Sequence, residues 1–569
     1  MDTKAYLSVD IGSQHTRAWL FDSRSGRYDL HCSATVQTSI ACGADIQTGV
    51  LTALDQIQKT SGYRLLDHQQ KLILGKSTKG EGVERVGLSL SAGKPIRTAL
   101  VAVSDTYSMA ALRRLVNFFY TEVVLEINLQ SDLNATAQLE KMMSTDVDLF
   151  VLAGGIDGGA SKPVKVAIDN VRIVYQSLPK VLKPQIVFTG NQDLAEYAAK
   201  EFDFGEDFHL AGNIQPGIGR EFLPVAWRAV LEAFRRIRNQ QILGIAELQE
   251  QFGAKVIPTA FAMGRIVRLL DQINPSGKGV LALDVGSGST TLMAAQGDKF
   301  IGTISHAPIS EDIGQAACRF SSQPIDAETA AIYMHNKKLH PSFLPATLED
   351  LAIEHAWTRV RLLYALKFTL DLYPDFAYDP HIGLLEHYEP VILSGESLVR
   401  VPALQHALLM ALDGLQPHGI TTFALDGNHI MAGLGALGEI EPMVAIQMID
   451  SGIFQNLGTV ICVDSPEKTG KQVLSMEVDR EEQPRDLYQV CKSELKRIEV
   501  QSQKRTRIYL SPSAESDVGM GLPGLGGWVT VTGSDVGVVI DARGRPLELP
   551  EDKNLRSEVI YNWLWELGG

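Results

Sequence analysis

The chain opens on apolar runs broken by single polar positions. AYLSVDI (5–11) and TRAWLFD (16–22) read as two strands closed by the turn GSQH. Residues 24–85 are mixed, with a helical LTALDQIQ and a polar loop GKSTKGEG at 75–82. VGLSLSA and RTALVAV follow as strands with a Gly-Lys-Pro turn between them. From about 105 to 245 the pattern alternates. VVLEIN, DLFVLAGG and PQIVFTG have the period and β-branched content of strands. SMAALRRLVNFFY, ATAQLEKMM, VKVAIDNVRIVYQSL, QDLAEYAAKEF and a long stretch near 221–239 carry helical spacing. Strands and helices in alternation predict an α/β layer on a largely parallel sheet.

Residues 256–300 restart the strand-and-turn theme, 311–385 are mostly helical, and 390–440 give strand, Gly turn, helix, strand and a Gly-rich helix. Beyond Pro442 the texture changes. LGTVICVDS, KRIEVQ, TRIYLSP, GWVTVTG and VGVVIDARG are short strands with Gly and Pro between them, and EVIYNWLWEL closes the chain as a helix. The expected division is 1–265, a first lobe with an α/β insertion; 266–442, a second lobe; and 443–569, a small β-rich C-terminal domain.

At 569 residues the chain is too long for one core. Its 45% hydrophobic and 21% charged content is that of a globular protein, and no apolar run reaches the ~18 residues of a membrane span. The start, MDTKAYLSVDIG, enters a strand without a basic and apolar leader, so a cytoplasmic protein is expected. Five scattered cysteines (Cys32, Cys42, Cys318, Cys462, Cys491) fit a reducing compartment and structural roles. The net charge of −15 argues against a nucleic-acid partner. The basic clusters RVRLL and FRRIRNQ read as solvated helix faces, and His335, His340 and His355 as solvated histidines.

One pattern occurs twice. LSVDIGSQHT (7–16) and LALDVGSGSTT (281–291) each run an apolar strand into Asp, then Gly, then hydroxyl residues and Thr. Glycine lets backbone approach a phosphate closely, and successive N–H groups make an anion-binding concavity. A carboxylate beside it suits Mg²⁺ or its coordinated waters. Asp10 and Asp284 are the candidate Mg²⁺ and catalytic residues. Gly12, Ser13 and Thr16 in the first turn, and Gly286, Ser287, Gly288 and Thr290 in the second, are the candidate phosphate contacts. Either turn alone is equally an ordinary hairpin device, and His15 in the first is equally a surface residue. The extra glycine makes the second the better cradle.

The paired turns resemble those of the actin, heat-shock chaperone and sugar kinase superfamily, in which two lobes clamp the phosphates of ATP. Its other motifs follow in order: a hinge helix 258-PTAFAMG-264, an adenosine turn 391-VILSGESLVRVP-402 and a second hinge 432-AGLGALG-438. The resemblance implies an α/β fold, a two-lobed actin-like ATPase built from duplicated ribonuclease H-like domains. It also implies ATP and Mg²⁺ as ligands, with Gly395, Glu396 and Ser397 at the adenosine end. The two turns are then expected to face each other across the nucleotide.

A narrower resemblance is carried by 150-FVLAGGIDGG-159, VGLSLSAGKPIRTALVAVSD, IVFTGNQDLAEYAAKEF, GNIQPGIG and IPTAFAMG. These look like the MutL/GlmL family associated with adenosylcobalamin-dependent glutamate mutase, over about residues 5–440. That family implies an ATP-dependent chaperone, or reactivating factor, whose protein partner is a cobalamin-dependent mutase. Asp157 either faces the nucleotide or caps the next helix. No Asp-x-His-x-x-Gly sequence marks the chain as the cobalamin enzyme itself. Heat-shock chaperones carry a water-orienting Glu just before the hinge proline, and here that position is Ile257. Slow or partner-stimulated ATP hydrolysis is therefore expected. Two other classes remain: a metabolite kinase on the same fold, and a non-catalytic nucleotide-binding scaffold assembling into oligomers or filaments.

Overall fold

The computed structural model describes residues 4–24, 26–39, 43, 45–75, 77–130, 135–159, 161–479 and 485–569. Cys42 and Lys76 lie outside the described residues. The chain divides into two compact units. One is Met1–Met263 with Ala432–Gln447; the other is Gly264–Met431 with Met448–Gly569.

In the first unit, Ala5–Ile11 is the middle strand of a five-stranded sheet, and all seven of its residues are buried. A strand covered on both faces needs a continuous apolar run, which is why AYLSVDI does not alternate. On one side it pairs antiparallel with His15–Arg24, which pairs antiparallel with Arg27–Gln37. On the other it pairs parallel with Arg85–Leu90, followed by Val256–Pro258.

The second unit repeats this arrangement. Gly279–Val285 pairs antiparallel with Thr290–Gln296, which pairs antiparallel with Lys299–Ser305. On its other side it runs parallel to Tyr388–Ser394 and then Ile420–Leu425. The same five-strand order in both units is the duplicated ribonuclease H-like sheet of the actin-like fold.

Between the fourth and fifth strands of the first sheet lies a second, wholly parallel sheet. Its order is Thr121–Asn128, Ile96–Ala102, Leu149–Ala153, Gln185–Phe188, Phe208–Leu210. VGLSLSA and RTALVAV, adjacent in sequence, thus go to different sheets. The insertion has its own core, with Phe150, Phe188, Ile168 and Val171 wholly buried.

Residues 443–569 are shared between the two units. Residues 443–447 belong with the first unit, and 448–569 with the second. Gln455–Cys462, Val538–Asp541 and Leu495–Ile498 lengthen the second unit's sheet to eight strands. Asp486–Cys491, Gln472–Asp479, Arg505–Pro512 and Gly527–Thr532 make a four-stranded antiparallel sheet. Along Arg505–Pro512 burial alternates with period two, so one face meets the core and the other solvent. The segment is fastened by buried ion pairs. Arg543 donates to Asp413 across 2.7 Å and to Asp541 across 2.8 Å, and Arg359 donates to Asp413 across 2.8 Å.

The boundaries between the units fall inside or at the start of helices Thr259–Ile273, Met431–Leu437 and Pro442–Asp450. The small residues of the two hinge motifs have a packing reason. A Cβ on Gly435 would overlap Ala262 O, and one on Gly433 would stand 2.7 Å from the Trp19 ring. Only glycine lets these backbones approach so closely.

Candidate functional site

The first turn is built by Gly12. Its N–H donates to His15 O across 2.9 Å, and a Cβ there would stand 2.8 Å from the same oxygen. The Thr38 hydroxyl donates to Gly12 O across 2.8 Å and lies 3.0 Å from the Thr16 hydroxyl. With Thr38's proton directed to Gly12, Thr16 must be the donor in that pair. Thr16 is wholly buried. In this structure its hydroxyl braces the turn from within. Ser13 is exposed at the tip and His15 is half-buried. Asp10 is 5% exposed, and its Oδ1 accepts from the hydroxyls of Ser89 and Thr259, each across 2.7 Å.

The second turn repeats the first. Gly286 N–H donates to Ser289 O across 3.0 Å. The register also recurs, with Asp284 opposite Thr291 and Val285 opposite Thr290, as Asp10 is opposite Arg17 and Ile11 opposite Thr16. A Cβ on Gly286 would lie 3.7 Å from Asp284 Oδ2, so the carboxylate flanks the turn. Ser287 is half-buried, Gly288 is exposed and a Cβ on it would touch nothing, while Thr290 is buried.

Arg361 supports this turn. Its Nη2 donates to Gly286 O across 2.7 Å and to Ser289 O across 2.6 Å. It is 6% exposed and lies over the Trp357 ring at 5.5 Å. Burial lowers its pKa to about 10, opposed by the nearby Asp284, so the guanidinium is charged at neutral pH. With both carbonyls drawn toward Arg361, the turn keeps a fixed shape and a positive charge stands behind it.

Gly395 has φ +99, and a Cβ on it would overlap Val285 O. The glycine lets VILSGES reach the strand that carries Asp284. It starts the short helix Glu396–Val399, where Ser397 is half-buried. Glu396 pairs with Arg400 at 2.6 Å and stands 3.8 Å from His429 Nε2, so its carboxylate meets cations of its own unit.

Chemically, each turn offers backbone N–H groups and a carboxylate at the end of a buried strand. Among the described residues no group of three or more His, Cys, Asp or Glu is placed to hold a metal. An ion here would take single carboxylates, phosphate oxygens and waters, which is the coordination Mg²⁺ prefers.

The model of the family described as "MutL protein" matches residues 6–453. The chain belongs to the MutL protein family. A MutL relative, Protein MutL of Clostridium tetanomorphum, is 20% identical over 419 residues, 68% of this chain and 81% of that one. Among solved structures, an ATP-dependent caprolactamase from Pseudomonas jessenii is 13% identical, covering 85% of this chain and 81% of that chain, with a TM-score of 0.33. A glycerol dehydratase reactivase is 11% identical, covering 72% and 95%, with a TM-score of 0.30.

Several residues of this MutL-family chain escaped the sequence reading. Ser89, Thr38 and Thr259 serve the first turn from distant positions. Arg361 lies in RVRLL, expected to be solvated; instead Arg359 is 4% and Arg361 6% exposed. In FRRIRNQ, Arg238 is 1% exposed and donates to Lys94 O across 2.7 Å. The signal was there: an arginine set between Trp357 and LLYAL sits on an apolar helix face. His335 and His340 are exposed, but His355 is buried beside His406 at 5.2 Å. Ile257 is 3% exposed and pairs with Ser89. Asp157 neither caps the following helix nor stands alone: its Oδ1 accepts from Gln192 N and Asn213 Nδ2. Cys32, Cys318, Cys462 and Cys491 are free thiols, and no helix among the described residues is long and apolar enough to cross a membrane.

Proposed function

We propose that the chain binds ATP with Mg²⁺ through the two strand-turn cradles and uses the nucleotide to change its grip on a protein partner. The observation that supports this is the repeated hairpin, with the same glycine hydrogen bond and the same register beside a carboxylate in each unit. Asp10 and Asp284 would hold the ion or its waters. Backbone N–H groups near Gly12, Ser13, Gly286 and Gly288, with the Ser287 hydroxyl, would take phosphate oxygens. Thr290 is buried and contributes to the turn's frame. Gly395 and Ser397 would take the adenosine end, as the superfamily resemblance implies. Bound Mg²⁺ supplies charge neutralisation for the phosphates.

Apolar Ile257 stands where chaperone relatives orient water, so the expected hydrolysis is slow and rises with the partner. Membership of the MutL family supports a cobalamin-dependent mutase as that partner, with the chain acting as a reactivating factor or chaperone in the cytoplasm. Calorimetric titration with ATP–Mg²⁺ on wild type, Asp10→Ala and Asp284→Ala tests the binding. Each substitution is expected to abolish measurable affinity. Wild-type affinity retained in both variants overturns the reading.

A further inference from the structure

The motifs LAGGIDGG, FTGNQ and GNIQPGIG lie far from the two nucleotide turns in sequence, and the structure brings them together. They follow, in order, the parallel strands Leu149–Ala153, Gln185–Phe188 and Phe208–Leu210 of the inserted sheet, at their carboxyl ends. Asp157 Oδ1 accepts from Gln192 N across 3.0 Å and from Asn213 Nδ2 across 2.9 Å. Asn213 Nδ2 also donates to Gly155 O across 3.0 Å, and Asp157 N donates to Pro216 O across 3.3 Å. Asn191 N donates to Gly154 O across 3.0 Å.

The first strand of this sheet in chain order, Ile96–Ala102, lies between the second and third. The connections therefore depart in opposite directions beside Leu149–Ala153. Open parallel sheets bind ligands outside the carboxyl ends of the strands at such a switch point. Here the loop is glycine-rich, with Gly154 at φ +149 and Gly155 and Gly158 at φ +72. It leads into the 16-residue helix Lys162–Ser177, whose N-terminus has no side-chain cap and carries exposed Lys162 in its first turn.

One group points independently to a ligand. Asn191 is 0% exposed and its Nδ2 has no hydrogen-bond partner. Its amide orientation is fixed, because Oδ1 accepts from Asp193 N across 3.0 Å. The residue itself is held on the glycine loop by its own N–H on Gly154 O. A buried donor without an acceptor costs about 1–3 kcal/mol unless something supplies one. Asp157, the acid nearest in the loop, already has two donors on Oδ1. The donors offered at this edge are the uncapped helix N-terminus, Lys162 and Asn191 Nδ2.

We propose that the carboxyl edge of the inserted sheet is a second ligand site, for a small molecule bearing a phosphate group, separate from the two nucleotide turns. The test uses the full chain carrying Asp10→Ala and Asp284→Ala, so that binding at the turns is removed and failure of the ATP reading is read separately. Calorimetric titrations with inorganic phosphate, pyrophosphate and AMP distinguish a free anion from an ester. At least one is expected to bind saturably, and Asn191→Leu is expected to weaken it about tenfold or more. Lys162→Glu, at an exposed position that does not threaten folding, is expected to weaken the same ligand. Absence of saturable binding by all three probes, or affinity unchanged in both variants, overturns the proposal.

Discussion

The hydroxyl of Thr259 donates to Asp10 Oδ1 across 2.7 Å, and Thr259 is the first residue of helix Thr259–Ile273. Ser89 donates to the same oxygen. One oxygen of Asp10 thus carries both donors, which orients the carboxylate, and one donor is the threonine of the hinge motif PTAFAMG. The link is short, half-buried and made of a single hydroxyl. It ties the candidate ion ligand to the helix in which the chain leaves its first unit.

Thr259→Val removes that donor and leaves Ser89 to hold Asp10 alone. A hydrogen bond to a charged group is worth about 1.5–3 kcal/mol. ATP–Mg²⁺ affinity is expected to fall about tenfold or more by calorimetry, while Thr259→Ser keeps most of it. Equal affinity in both variants would show that Thr259 does not position Asp10.

Arg361→Met tests the support behind the second turn. The substitution keeps much of the apolar stem but leaves Gly286 O and Ser289 O without their donor. Two under-satisfied carbonyls in a buried place are expected to cost about 2–4 kcal/mol, read from the urea midpoint. Lysine has a compact ammonium and cannot reproduce a planar guanidinium stacked on Trp357. Arg361→Lys is therefore expected to fall between wild type and Arg361→Met. A shift below about 0.5 kcal/mol for Arg361→Met would show that the turn holds its shape unaided.

The doubled turn could be read from the sequence because its causes are local: an apolar strand, an acid, a glycine and a return. The inserted parallel sheet was equally readable, since its strands are short and separated by helices. What stayed hidden depends on contacts between distant positions. Nothing near Thr16 announces that Thr38 will take its proton, or that Ser89 will bond Asp10. A short window assigns the charges of Arg359 and Arg361 to the surface, because their partners, buried Asp413 and the carbonyls of the 286–289 turn, lie far along the chain. The short strands after Pro442 gave the right element type, but strand pairing, which decides where they belong, is not written in any one of them.

His355 makes stability depend on pH. Burial first, then Arg359 and His406, pushes its pKa down to about 3 from 6.5. Between those values the unfolded chain binds the proton and the folded chain does not, so stability falls as pH drops from about 6.5 toward 3. By pH 5 the loss attributable to His355 is about 2 kcal/mol. His355→Gln is expected to lessen the drop in the denaturation midpoint between pH 7 and pH 5. An unchanged drop would place the acid sensitivity elsewhere, with His209, whose pKa burial lowers to about 4, as the next group to replace.

Arg543 decides whether residues 448–569 are structurally necessary or merely attached. It is buried, joins Asp413 to Asp541, and stacks on Trp563 at 4.4 Å. Arg545 also donates to Asp541 across 2.8 Å. Arg543→Met would leave Asp413 with Arg359 and Asp541 with Arg545, each carboxylate short of a donor in a dry interior. Breaking one side of a buried ion pair costs about 3–5 kcal/mol. The expected result is a lower denaturation midpoint and faster proteolysis within 264–431, far from the substitution in sequence. Proteolysis confined to 448–569 would mean that the C-terminal strands come away without loosening the sheet that carries Asp284.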